Sequence, residues 1–88
     1  MVNINKDMIL REIVGENVLV PTGSTMLKYN GLFMLTPTAA FIWAILPEAD
    51  SEEEIVDRIV KEYDVEREKA QKDVSEFLTN LREHGIID

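Results

Sequence analysis

Residues 31–46 read GLFMLTPTAAFIWAIL, the centre of a run (residues 29–47) with no charged side chain in a chain where 30% of residues are charged. A membrane-spanning helix needs about 20 mostly apolar residues. Here Thr36, Pro37 and Thr38 interrupt the run, and only residues 39–46 continue it. Pro37 suits the first position of a helix, where its missing N–H costs nothing, and Thr36 before it suits the N-cap. The run therefore divides into a short apolar strand, residues 32–35, and a helix, residues 37–46.

Upstream of this division the chain reads as β structure. Residues 8–14 (MILREIV) form a strand pattern around the polar pair Arg11 and Glu12, Gly15 and Glu16 make a turn, and residues 17–20 (NVLV) form a second strand ended by Pro21. Their closeness in sequence predicts a hairpin. The stretch PTGSTMLKYNG, residues 21–31, holds two glycines, a proline and an Asn-Gly pair, and reads as loop.

Downstream the period changes to that of a helix. Ser51 with Glu54 three residues on is a capping box, and Glu52, Glu53 and Glu54 put negative charge where the helix dipole favours it. Ile55, Val56, Ile59, Val60 and Tyr63 then share one face. A last helix over residues 66–84 carries Ala70, Val74, Phe77, Leu78 and Leu81 on one stripe, and Gly85 with Ile86 resembles a glycine C-cap with its apolar contact. The helix over residues 37–46 is apolar nearly all round and is expected to be buried centrally, with the other two helices packed on it. The expected fold is α+β and winged-helix-like: a three-stranded antiparallel sheet followed by three helices, in one domain over residues 1–88.

Composition narrows the function. Seventeen acidic against nine basic residues give a net charge of −8, which repels phosphate backbones and anionic membranes. No cysteine is present, so thiol nucleophiles and cysteine zinc sites are excluded. The first ten residues hold too short an apolar stretch for a signal peptide, and a cytoplasmic location is expected. The one histidine, His84, falls in the last turn of the third helix, where a cation or hydrogen-bond donor is a routine stabilising feature. Glu52, Glu53, Glu54 and Asp57 are better read as dipole complementation than as a metal cluster, and Gly15, Gly23 and Gly31 form no phosphate-binding loop. No cofactor, no metal site and no catalytic residue is expected. A winged-helix regulator of DNA is the alternative, but the third helix sets Arg67, Lys69, Lys72 and Arg82 against Glu66, Glu68, Asp73, Glu76 and Glu83, the reverse of what phosphate contact needs.

The third strand remains. Leu32 and Met34 face one way and Phe33 and Leu35 the other, and both sets are apolar. Either the strand is buried on both faces or it is an edge without the charge, proline or bulge that usually protects one. An open edge accepts a strand from another chain, either a peptide or a second copy.

The segments VLVPTG (residues 18–23), YNGLFMLTPTAAFIWAIL (29–46), SEEEIVDRIVKEYDV (51–65) and AQKDVSEFLTNLREHGII (70–87) together resemble the PqqD-like family, the peptide-recognition domains named after coenzyme PQQ synthesis protein D and also called RiPP recognition elements. The resemblance implies a non-catalytic domain. It would bind the leader segment of a ribosomally made precursor peptide as an added strand on the third strand, in a cleft walled by the third helix. It would then present that peptide to a modifying enzyme such as a radical SAM protein. Carried onto this chain, the edge is Leu32, Phe33, Met34 and Leu35. The chosen cleft wall is the flank with Lys69, Asp73 and Phe77, as against Arg67, Gln71 and Leu78. A monomer or weak homodimer is expected. The chain departs from the family pattern in having Thr36 where asparagine is frequent, and in opening its third helix with Glu66 and Arg67. That helix start is expected to fray or to use Asp64 as cap.

Overall fold

The computed structural model describes residues 4, 7–22 and 33–88. The expected loop over residues 23–31 and the position of Leu32 lie outside the described residues. Three strands, β1 (Met8–Ile13), β2 (Glu16–Pro21) and β3 (Phe33–Leu35), form one antiparallel sheet in the order β1-β2-β3. Helices α1 (Pro37–Ile45), α2 (Glu52–Tyr63) and α3 (Arg67–Glu83) follow, with a 3-10 turn, Leu46–Glu48, after α1. The sheet followed by three helices is the α+β arrangement expected from sequence.

The register shows why the sheet folds this way. Leu10 pairs with Leu19 and Leu19 with Phe33, so these residues share one face, and with Met8 and Leu35 they meet the helices in the core. Ile9, Ile13 and Met34 share the opposite face and are exposed. A register shifted by one residue would exchange the two sets. That requirement overrides the turn expected at Gly15 and Glu16. Ile13 pairs with Glu16, so the turn is Val14 and Gly15, both at positive φ (51° and 78°), the signs that a two-residue type I′ turn demands.

Helix ends follow their signals closely. The Thr36 hydroxyl accepts from the Ala39 N–H at 3.1 Å, and the Ser51 hydroxyl accepts from the Glu54 N–H at 3.1 Å. Glu54 reaches back one residue further than a standard capping box and accepts from the Asp50 N–H. Asp64 does not cap α3. It ends α2 in the left-handed conformation, with its N–H on the Val60 carbonyl, and the N-cap residue Glu66 makes no side-chain cap bond. At the other end of α3, Ile86 N–H bonds the Leu81 carbonyl (2.9 Å) and Gly85 N–H the Arg82 carbonyl (3.0 Å). This is a Schellman motif, with Gly85 at φ 71° and Ile86 fully buried.

The core joins Leu19 and Leu35 of the sheet, Ile42 and Ile45 of α1, Ile55, Val56 and Ile59 of α2, and Ala70, Val74, Leu78 and Leu81 of α3. Central burial of α1 is not what forms. Only its Ile42 and Ile45 face is buried, Phe41 and Trp43 are half-buried, and Ala44 is exposed. A nine-residue helix joined directly to an edge strand lies along one side of the α2–α3 pair and cannot be enclosed by it. Among the described residues no helix is long and apolar enough to cross a membrane.

Val14 is 97% exposed at positive φ, where a β-branched side chain crowds its own backbone. Replacing it by asparagine, which tolerates this conformation, raises unfolding stability by about 1 kcal/mol. Urea denaturation of Val14→Asn checks this, and an unchanged midpoint contradicts it.

Candidate functional site: a cleft between the third strand and the third helix

β2 pairs with β1 on one side and β3 on the other, so among the described residues β3 is an edge of the sheet. Its three residues carry no charge, proline or bulge. Leu35 is buried, Phe33 is half-buried on the same core-facing side, and Met34 on the other side is 60% exposed. The alternative of a strand covered on both faces is therefore not what forms. The strand ends at Leu35 because Thr36 caps α1, which turns the chain away and leaves α1 as a floor.

Opposite this edge stands one flank of α3, and between them lies an open cleft of about 490 Å³. Phe33, Met34 and Leu35 form one wall, Thr38, Ala39 and Ile42 of α1 the floor, and Asp73, Glu76, Phe77 and Asn80 of α3 the other wall. Residues 73, 76, 77 and 80 recur at helical spacing, which sets them on one face. Two other hollows have similar volume, so size does not distinguish this one. Its lining does, because it alone of the three joins a strand of the sheet to a helix across apolar side chains.

Of the residues chosen from sequence, Phe33, Met34, Leu35, Asp73 and Phe77 line this cleft, and Leu32 lies outside the described residues. Lys69 does not line it. It sits one turn before Asp73 in a shallow hollow on the N-terminal half of α3, its ammonium 3.2 Å from the Asp73 carboxylate. Helical angle sets Lys69 on the same side of α3 as Asp73, but at 1.5 Å per residue it lies about 6 Å nearer the N-terminus of the helix. The opposite flank is occupied: Arg67 pairs with Glu53 and Asp57 of α2, Leu78 is buried in the core, and Gln71 faces α2 with Arg67.

Sequence reasoning missed Glu76 and Asn80, which the same periodicity could have found, and the α1 floor, which it could not. It also missed a support for the strand. The His84 ring meets Phe33 edge-on, with centroids 4.7 Å apart at 86°, and its Nδ1–H donates to the Asn80 carbonyl at 2.8 Å. His84 thus stabilises the helix end, as expected, and also steadies the first described residue of β3. No sequence signal links positions 33 and 84. Among the described residues no group of three histidine, aspartate or glutamate side chains is placed to hold a metal ion.

An apolar strand edge facing a helix across a cleft defines a peptide-docking architecture, able to hold an extended chain by backbone pairing and side-chain pockets. The family profile of coenzyme PQQ synthesis protein D (PqqD) matches residues 16–87. The chain belongs to that family. Among solved structures it is similar to a lasso peptide synthetase B1 complexed with the leader peptide, at 24% identity and a TM-score of 0.76, with 99% of this chain and 96% of that one covered. It is also similar to TbiB1 in complex with the TbiA(beta) leader peptide, at 30% identity and a TM-score of 0.74, with 97% and 93% covered. No curated protein matches the chain.

The Lys69–Asp73 pair is open to solvent, with side chains 66% and 41% exposed. Such pairs contribute about 0.5 kcal/mol or less. A double-mutant cycle with Lys69→Met and Asp73→Asn, read by thermal unfolding, gives a coupling in that range, and a value above about 1.5 kcal/mol contradicts the assignment of this pair to the surface.

Proposed function

We propose that this chain binds the leader segment of a ribosomally made precursor peptide as a fourth strand on β3, and that it delivers the peptide to a modifying enzyme, such as a radical SAM protein, without itself doing chemistry. The observation that carries this is the coincidence of an unprotected edge at Phe33–Leu35 with the cleft facing α3. Membership of the PqqD family and likeness to TbiB1, solved with a leader peptide, support it.

Backbone pairing along β3 supplies affinity that tolerates sequence variation. Alternate leader side chains enter the cleft over Phe33, Phe77 and the α1 floor, and there the sequence is read. Met34, on the outer face, meets the side chains of opposite parity. Once bound to both peptide and enzyme, the domain raises the effective concentration of one for the other, which needs no catalytic residue. The domain acts as a monomer or weak homodimer, since a second copy would compete for the same edge. Duplex DNA suits this surface poorly, because the cleft flank of α3 presents Asp73 and Glu76.

Phe33→Asp places a charge in the wall of the cleft and removes the ring that meets His84 at the end of α3. In titrations with leader peptides of precursor genes encoded nearby, it weakens binding at least tenfold, and circular dichroism shows the fold retained. Unchanged affinity in a folded Phe33→Asp protein would sink the edge-strand reading.

A further inference from the structure

The charge of the cleft specifies its guest more closely than its shape does. Among the described residues its charged lining is Asp73 and Glu76, both acidic, with no lysine or arginine. Asp73 is answered in part by Lys69, a solvated side chain that can swing away. Glu76 has no ion-pair partner among the described residues: Lys72, one turn before it, shares the adjoining hollow without coming within ion-pair distance, and the ion pairs of α3 are those of Arg67 and Lys69. The remaining liners are apolar side chains, two threonines and Asn80.

We infer that the cleft selects an extended peptide carrying a lysine or arginine two positions from a large apolar residue, the apolar side chain resting on Phe77 and the cation reaching Asp73 and Glu76. This rests on the peptide-docking reading above and names the class of peptide it takes. Asp73 and Phe77 are four residues apart on α3, a rise of about 6 Å. Side chains at i and i+2 of a strand are about 6.8 Å apart on one face, so a peptide strand lying along α3 would present them at the spacing of these two residues. Glu76 sits on the same flank and brings a second carboxylate within reach of the same long side chain. The net charge of −8 adds a general attraction for cationic segments.

The test is selection of a displayed library of random 15-residue peptides on the full chain, followed by affinity measurement of the enriched peptides and of counterparts with the basic residue changed to glutamate. Enriched peptides should share a basic residue two positions from a large apolar one. The lysine form should bind about tenfold more tightly than the glutamate form at low salt, with the gap narrowing as salt rises. Asp73→Asn with Glu76→Gln should remove that gap, and Asp73→Lys with Glu76→Lys should reverse it. Enrichment of apolar peptides that bind Phe33→Asp poorly, but show no preference for lysine over glutamate, would overturn the charge assignment and leave peptide docking standing. Failure to enrich any peptide would overturn docking itself, and this inference with it.

Discussion

The pairing of Asn17, Val18 and Leu19 with Leu35, Met34 and Phe33 is the constraint on which the rest of the molecule depends. It fixes which side chains of β3 enter the core, makes β3 the edge, and brings the chain to Thr36 where α1 must start. Because strand faces alternate, sending Phe33 and Leu35 inward forces Met34 outward. The same pairing thus builds the core and leaves the apolar side chain of Met34 exposed on the last strand of the described sheet.

The helices complete the arrangement by position alone. α2 occupies one flank of α3 through Ile55, Val56, Ile59 and the ion pairs of Arg67, which commits the other flank to face β3. The Schellman end at Gly85 buries Ile86 and holds His84 where its ring meets Phe33. A peptide entering the cleft therefore meets walls already held by packing, so less ordering cost falls on binding.

Much of this was legible in the sequence where the cause is local. Caps at Thr36 and Ser51, the apolar stripe of α2 and the glycine stop at residue 85 each depend on neighbours within a turn or two. The turn at Val14 and Gly15 was misplaced by one residue because tertiary register, not turn propensity, decides it. The burial of α1 was overestimated because periodicity reports how apolar a helix is, not how much protein surrounds it. Helical angle groups Lys69 with Asp73, but angle carries no information on position along the axis, which puts Lys69 in the neighbouring hollow. The contact of His84 with Phe33 joins residues distant in sequence and leaves no trace in either.

The central claim is that a peptide pairs with the backbone of β3. Nuclear Overhauser contacts between the α and amide protons of a bound leader peptide and those of residues 33–35 test it most directly. Strand addition gives a cross-strand pattern along all three residues, with further contacts to Phe77. A peptide that binds while its contacts fall on α2 or on the β1 edge, leaving residues 33–35 unaffected, contradicts it.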